Sequence, residues 1–196
     1  MLVDITVLLS HIKNVGWKFY PTIIFLVAKV VNRHPEFRMA MKDNELVIWN
    51  EIHPNYTIFH NETETFFIIM EPLRCDIQHF QKTYSEDMAR YGDNLAYWPK
   101  EESRENIFFI SGIPWVSFTS FSVSVANMKN FFCPYVYAWK ILRARGRVLY
   151  LSPFRYIILS AMVSMWQGFL MSYKRSAMRY HSRPGNRNDD VAIRPL

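Results

Sequence analysis

The sequence predicts an α/β fold, a two-layer sandwich in which helices cover a mixed β-sheet. One long stretch, Asn106–Val125, has the apolar, aromatic and β-branched composition of buried strands. Another segment, Ile23–Asn32, is apolar nearly all round, as is a helix that is buried against a sheet. Strands interspersed with a few covering helices favour this layered architecture, and the length of 196 residues favours one domain.

Two helices are predicted near the start of the chain. Asp4 or Thr6 can cap a short helix that runs through Ile12, and Gly16 can end it. Pro21 then begins a second helix as a first-turn proline. This second helix contains the apolar segment, so we expect it to pack on the sheet.

Strands and a third helix are predicted in the middle of the chain. Arg38–Met41 and Leu46–Trp49 form a predicted hairpin, and Tyr56–His60 is a further strand. Asp76 caps the third helix and Gly92 ends it. The apolar positions of this helix follow a spacing of three to four residues: Ile77, Phe80, Tyr84 and Met88.

A serine stands at a strand end inside the long apolar stretch. Pro114 divides that stretch into two strands, because proline has no N–H to donate to a strand ladder. Ser111 lies just before the division, where a hydroxyl can be presented at the end of the strand. Serine alternating with aromatic residues is also the pattern of an ordinary solvent-facing sheet surface, so composition alone does not make Ser111 a functional residue.

Charge divides the chain into two unequal parts. Residues 1–132 carry 12 Lys and Arg against 15 Asp and Glu, a net charge of −3. Residues 133–196 carry 11 against 2, a net charge of +9, and no glutamate follows Glu105. Such a basic tail is compatible with binding to nucleic acid or to a membrane surface.

The tail is predicted to be irregular. Its apolar run, residues 150–173, is interrupted by polar residues and falls short of the roughly 20 apolar residues that span a membrane. A helix lying on a membrane surface is an open alternative. Residues 183–196 have the composition of a disordered segment.

Cysteine use and the first residues indicate a cytoplasmic protein. Cys75 and Cys133 provide neither a disulfide framework nor the spacing of metal ligands. Asp4 stands where the charged and apolar parts of a signal peptide would begin. We therefore expect a protein of the reducing cytoplasm that binds no metal.

Five segments together resemble the chloramphenicol acetyltransferase family. The resemblance covers nearly all of residues 3–132, with a gap at 67–73. The segments are KFYPTIIFLVAKVVNRHPEFRMAMKDNELVIW (Lys18–Trp49), YTIFHNETETF (Tyr56–Phe66), YGDNLAYWPK (Tyr91–Lys100), FFISGIPWVSFTSF (Phe108–Phe121) and VANMKNFF (Val125–Phe132). The resemblance implies a homotrimer that transfers an acetyl group from acetyl-CoA to a hydroxyl of chloramphenicol. It also implies a first strand and helix before residue 1, so the chain is expected to be N-terminally short.

The resemblance assigns one catalytic residue and shows that another is missing. Ser111 matches the family's oxyanion donor because Gly-Ile-Pro-Trp follows it. The family's base is the second histidine of a His-His-x-x-x-Asp-Gly motif, and this motif is absent. His60 matches a family position but is not assigned as the base. The other histidines are expected at ordinary surface or turn positions: His11, His34, His53, His79 and His181.

Four apolar residues are assigned to the wall of the drug pocket by the resemblance. They are Phe66, Trp98, Phe121 and Val123. Ordinary core packing is the alternative for each of them. Trp98 and Val123 replace the phenylalanine and leucine common in the family, which changes the pocket volume. Tyr137 stands where the family uses a threonine.

A shift of reading frame from about Cys133 onward is our hypothesis for the missing motif. Tyr156–Met165 can be encoded by codons that give His-His-Leu-Val-Cys-Asp-Gly-Phe-His when they are read from the third base. With a suitable choice of codons, residues 140–146 and 170–174 also encode family-like sequences in that frame. A second, local slip would explain the gap at 67–73, for which a natural insertion is the alternative.

The sequence therefore predicts a chloramphenicol acetyltransferase by family whose own chain is inactive. The alternatives are a non-catalytic, truncated relic of such an enzyme and a basic protein that binds membrane surfaces or nucleic acid. The last of these ranks lowest, because the tail has no regular amphipathic period and no alternation of aromatic and basic residues.

Overall fold

A computed structural model describes residues 2–43, 45–73, 76–100, 104–112, 135–137, 140–144 and 147–151. Within these residues three α-helices cover a mixed sheet, which confirms the predicted two-layer fold, and a short 3-10 helix spans Pro35–Phe37. The second strand predicted after Pro114 and the disorder predicted for residues 183–196 lie outside the described residues. None of the helices in the described ranges is long and apolar enough to cross a membrane.

The central sheet has the strand order β5-β4-β6-β7. Its strands are β4 (His53–His60), β5 (Thr65–Met70), β6 (Ile107–Ser111) and β7 (Tyr135–Tyr137). β4 and β5 are antiparallel, whereas β4 with β6 and β6 with β7 are parallel. Because β4 and β6 run in the same direction, β6 ends beside Thr57, and β4 continues for three more residues to His60.

Two smaller sheets complete the described strands. β2 (Met39–Lys42) and β3 (Glu45–Ile48) form the predicted hairpin. β1 (Leu2–Asp4), β8 (Lys140–Ala144) and β9 (Arg147–Leu151) form an antiparallel sheet in the order β1-β9-β8. β7, β8 and β9 all come from the part of the chain that was predicted to be an irregular tail.

The first helix, α1 (Thr6–Val15), ends as predicted but begins differently. Gly16 ends it in the left-handed conformation, with φ of +74°. The N-cap residue is Ile5, which has no side-chain cap, and not Asp4 or Thr6. The Asp4 carboxylate instead accepts hydrogen bonds from the Thr6 N–H and hydroxyl, at 3.0 Å and 2.6 Å.

The second helix, α2 (Phe19–Val31), begins two residues before Pro21. Gln81 of α3 (Ile77–Tyr91) explains the difference, because its side chain accepts from the Lys18 N–H at 3.0 Å. The Gln81 amide also donates to the Lys18 carbonyl and to the Thr22 hydroxyl, at 3.0 Å and 2.8 Å. A neighbouring helix thus supplies the polar partners that a helix start lacks, and Pro21 is tolerated in the first turn.

The core lies between α2 and the central sheet. Ten of the 13 residues of α2 are buried, which confirms that this helix packs on the sheet. Phe108 and Ile110 of β6 face the same core, together with Tyr56 of β4. Residues 67–70, which lie within the gap in the resemblance, belong to β5, and Phe67 is buried there.

Candidate functional site

Ser111 is the last residue of β6, at the strand end where the sequence placed it. In the parallel register Ile110 pairs with Tyr56 of β4, so Ser111 lies beside Thr57. The two hydroxyl oxygens, Ser111 Oγ and Thr57 Oγ1, are 2.8 Å apart, and either can donate. If Thr57 donates, the Ser111 O–H remains free to donate to another group.

Thr57 is itself held from the helix layer. Its backbone carbonyl accepts a hydrogen bond from the Tyr20 hydroxyl of α2 at 2.8 Å. Burial raises the pKa of Tyr20, so the phenol remains a neutral O–H donor at physiological pH. The ring of Tyr20 packs edge-on against Tyr56 and Tyr84, at centroid distances of 6.2 Å and 6.3 Å. The position of the Thr57 backbone is thereby fixed.

A second polar side chain lies on the same face of β4 as Thr57. Asn55 is two residues before Thr57, and strand alternation places both side chains on one face. Asn55 is fully buried, and its side-chain amide has no hydrogen-bond partner among the described residues. Burying an amide in this way is costly.

The Ser111–Thr57 pair predicts a measurable coupling between the two hydroxyls. Removing a hydroxyl that leaves a partly buried partner unpaired costs about 1 kcal/mol. We expect Thr57→Val and Ser111→Ala each to lower the free energy of unfolding by about that amount, with a double variant that costs less than the sum. Urea unfolding of the four proteins measures the coupling, and strictly additive losses would contradict the hydrogen bond.

Three aromatic side chains form an exposed cluster beside the sheet, the aromatic wall: Phe66, Tyr97 and Trp98. Phe66 packs edge-on against Tyr97 at 5.7 Å, and Tyr97 packs against Trp98 at 6.4 Å. Their exposed fractions are 48%, 56% and 36% in that order. Phe66 and Trp98 are therefore not core residues in this structure. Tyr97, which connects them, was not predicted.

The remaining predicted wall residues, Phe121 and Val123, lie outside the described residues. Tyr137 is described by its backbone, which is the register partner of Ser111 in β7. The position where the resemblance implies a threonine is thus next to Ser111 in the sheet.

Lys100, two residues after Trp98 in the sequence, lies at the centre of a buried ion cluster. Its ammonium group donates to Glu71 Oε2 and to Asp87 Oδ2, both at 3.0 Å. The exposed fractions of the three side chains are 14%, 4% and 10%. Burial alone would lower the pKa of Lys100, but its hydrogen bonds to Asp87 and Glu71 outweigh burial and raise that pKa. Lys100 therefore stays charged well above neutral pH.

No histidine in the described ranges hydrogen-bonds to Ser111 or Thr57. The Nε2 of His60 is 3.1 Å from the carbonyl oxygen of Asn94, and only an N–H can make that bond. His53 is buried and accepts from the Leu73 N–H at 3.1 Å. The other three described histidines have partners or positions elsewhere: His11 packs against Trp17, His34 lies 3.3 Å from Glu36, and His79 is exposed on α3.

The described part of the chain also contains no group of three His, Cys, Asp or Glu side chains that could hold a metal ion. The hydroxyls of Ser111 and Thr57 can donate hydrogen bonds, and the register of β4 with β5 places Phe66 of the aromatic wall on the same face of the sheet as Thr57. That combination suits a small aromatic ligand that carries an oxygen to be stabilised.

Comparison with protein families matches residues 1–155 to the chloramphenicol acetyltransferase family. Among curated proteins, the chloramphenicol acetyltransferase of Proteus mirabilis is 58% identical over 131 residues, which cover 67% of this chain and 60% of that protein. That of Escherichia coli is 55% identical over 131 residues, with 67% and 59% covered. Chloramphenicol acetyltransferase 3 of Escherichia coli is 40% identical over 147 residues, with 75% and 69% covered.

The match thus spans about 60% of the length of the first two relatives. Among solved structures, a chloramphenicol acetyltransferase has a TM-score of 0.66 at 19% identity, with 87% of this chain and 86% of that chain covered. The dihydrolipoamide acetyltransferase of Azotobacter vinelandii has a TM-score of 0.55 at 14% identity, with 91% and 82% covered. These two likenesses concern the fold.

Proposed function

Because the chain belongs to the chloramphenicol acetyltransferase family, we propose that its site at Ser111 is built for transfer of an acetyl group from acetyl-CoA to a hydroxyl of chloramphenicol. Such a transfer inactivates the antibiotic and gives resistance to it. The observation that carries the proposal is the pair of hydroxyls formed by Ser111, at the end of β6, and Thr57, in the adjacent parallel strand β4, in a chain of this family.

Ser111 is proposed as the donor to the oxyanion. Attack of a hydroxyl on the acetyl thioester produces a tetrahedral intermediate with a negatively charged oxygen, which a positioned donor stabilises. The contact with Thr57 supports this role, since a Thr57 hydroxyl that donates to Ser111 orients the Ser111 O–H outward. Tyr20 in turn holds the backbone of Thr57.

The aromatic wall is proposed to receive the apolar part of chloramphenicol. Phe66 and Trp98 present large exposed aromatic surfaces, as a pocket for an aromatic ligand requires. Tyr97 joins them, and Phe121 and Val123 complete the wall in the proposal by their match to the family. A homotrimer is the proposed assembly, also by family.

The chain as it stands is proposed to lack the base of the reaction. An alcohol is a weak nucleophile near neutral pH, so the transfer needs a group that removes the hydroxyl proton. The family's His-His-x-x-x-Asp-Gly motif is absent from the sequence. We attribute this to a change of reading frame near Cys133, which makes residues 133–196 a tail that differs from the acetyltransferase domain of residues 1–132.

Binding of chloramphenicol to the full chain tests the proposed site independently of turnover. Phe66→Ala removes an exposed ring of the aromatic wall and is expected to weaken binding about tenfold, the factor that corresponds to ~1.4 kcal/mol. Leu95→Ala is the control, because Leu95 is also exposed, at 69%, and is not part of the wall. Titration calorimetry measures both. Equal affinities of the Phe66 variant and the unmodified chain would contradict the assignment of the wall.

A further inference from the structure

The connection between α3 and β6 carries two residues of the aromatic wall and, shortly after them, a buried lysine. Residues 92–100 contain no helix or strand, include Tyr97 and Trp98, and end at Lys100. We propose that Lys100 is a positioning residue that holds Tyr97 and Trp98 beside Phe66 and so sets the shape of the aromatic wall. The inference about the ligand rests on the proposed function, whereas the inference about the wall does not.

The ion cluster joins this connection to two other elements. Asp87 lies on α3, and Glu71 directly follows β5. The bonds from Lys100 to both carboxylates therefore fix this point of the connection to the helix and to the end of β5 at once. At 14% exposure the Lys100 side chain is largely shielded from water, and its charge is retained by these two partners.

Two further contacts hold the connection against the sheet, one at the outer edge of β5 and one at the end of β4. The Ile68 N–H donates to the Tyr97 carbonyl at 2.9 Å, so Tyr97 accepts the bond that a further strand would accept from β5. His60 donates to the Asn94 carbonyl at 3.1 Å. β5 is the outer strand of the described sheet order, so the connection covers an edge that would otherwise present free N–H groups.

The spacing of these anchors restricts Trp98. The Tyr97 carbonyl is fixed one residue before Trp98, and Lys100 is fixed two residues after it. Successive Cα atoms are about 3.8 Å apart, so Trp98 can shift only if one of the two anchors is released. The ring contacts that form the wall do not include Lys100. Its effect on a ligand would therefore be transmitted through the backbone of residues 97–100.

A neutral version of the cluster tests this proposal. The triple variant Lys100→Met, Glu71→Gln, Asp87→Asn removes the three charges of the cluster together, so no buried carboxylate loses its ammonium partner. We expect the Ile68 amide to exchange with solvent at least tenfold faster and chloramphenicol to bind at least fivefold more weakly. The single variant Lys100→Arg keeps the charge and both carboxylates. We expect its Ile68 exchange rate and its affinity for chloramphenicol to stay within about twofold of those of the unmodified chain.

The matched control is Lys82→Met with Glu86→Gln, which removes an exposed ion pair of α3 at 3.7 Å. Neither the exchange rate of the Ile68 amide nor the affinity for chloramphenicol should change in this control variant. Unchanged Ile68 exchange in the triple variant would overturn the proposal. If the unmodified chain fails to bind chloramphenicol, the proposed function is wrong, and Ile68 exchange alone decides the role of Lys100.

An insertion separates positioning from stability if the triple variant does not fold. Two glycines between Trp98 and Pro99 leave the ion cluster able to form but disconnect it from Trp98. We expect the free energy of unfolding to change little, since exposed loops tolerate insertions, while the affinity for chloramphenicol falls at least fivefold and the contact between the Phe66 and Tyr97 rings is lost from the nuclear Overhauser spectrum. Retention of that ring contact in the insertion variant would overturn the proposal.

Discussion

Lys100→Met is expected to lower the free energy of unfolding by about 3–5 kcal/mol, the cost of removing one partner from a buried ion cluster. The methionine fills the space of the aliphatic stem but leaves Glu71 and Asp87 without the ammonium group. Both carboxylates are at most 10% exposed, so water replaces the lost partner poorly. Urea unfolding at pH 8, followed by circular dichroism, measures the loss.

One control variant distinguishes this effect from a general sensitivity of α3. Lys82→Met removes an exposed pair, for which we expect a loss of less than about 1 kcal/mol. A loss that is equally small for Lys100→Met would contradict the ion cluster.

The chain as it stands is expected to transfer acetyl groups at least about 10²–10⁴-fold more slowly than the Proteus mirabilis relative, which is the usual effect of a missing general base. The hydroxyls of Ser111 and Thr57 can stabilise charge, but a hydroxyl is too weak a base to remove the proton of an alcohol. His60 cannot replace the base through its Nε2, because that atom donates to the Asn94 carbonyl. Release of CoA from acetyl-CoA in the presence of chloramphenicol measures the rate.

Ser111→Ala in the same chain is the informative comparison. Catalytic groups that act as a unit have non-additive effects, so the loss of the oxyanion donor should have little further effect when the base is already missing. A rate close to that of the relative, abolished by Ser111→Ala, would show that another group acts as the base.

Elements that depend on local chemistry were predicted well from the sequence. Gly16 ends α1 because glycine adopts positive φ without strain. A glycine that follows a helical pattern can therefore be recognised as a helix end from the sequence alone. Asp76 caps α3 by accepting from the Gln78 N–H at 2.9 Å. The hairpin β2–β3 and the burial of α2 also follow from short-range patterns of apolar and turn residues.

Features that depend on distant residues were not predicted. The start of α2 is set by Gln81, which is 63 residues away from Lys18 in the sequence. The contact of Ser111 with Thr57 depends on the parallel register of β4 and β6, and strand pairing across 54 residues is not encoded by strand periodicity. β5 was missed, although Thr-Phe-Phe-Ile-Ile-Met has a strand composition, because its sequence departs from the family there.

The candidate site shows the same division. Ser111 was placed at a strand end by Pro114 and given a role by the Gly-Ile-Pro-Trp that follows it. Phe66 and Trp98 were assigned through the resemblance alone, and neither periodicity nor hydrophobicity would have separated them from core residues. Lys100 gave no signal in the sequence, since a single lysine in a loop is usually exposed. Its burial follows only from the meeting of α3, β5 and the connection.

The central claim is that the oxyanion side of an acetyltransferase site is present around Ser111 and that only a frame change removes the base. Shifting the gene by one base near codon 133, so that the codons of Tyr156–Met165 are read in the alternative frame, tests it through the rate of CoA release. We predict a gain of at least about 100-fold, which Ser111→Ala in the shifted chain reduces by about 10²–10³-fold. No gain, or a gain that Ser111→Ala leaves intact, would contradict the claim.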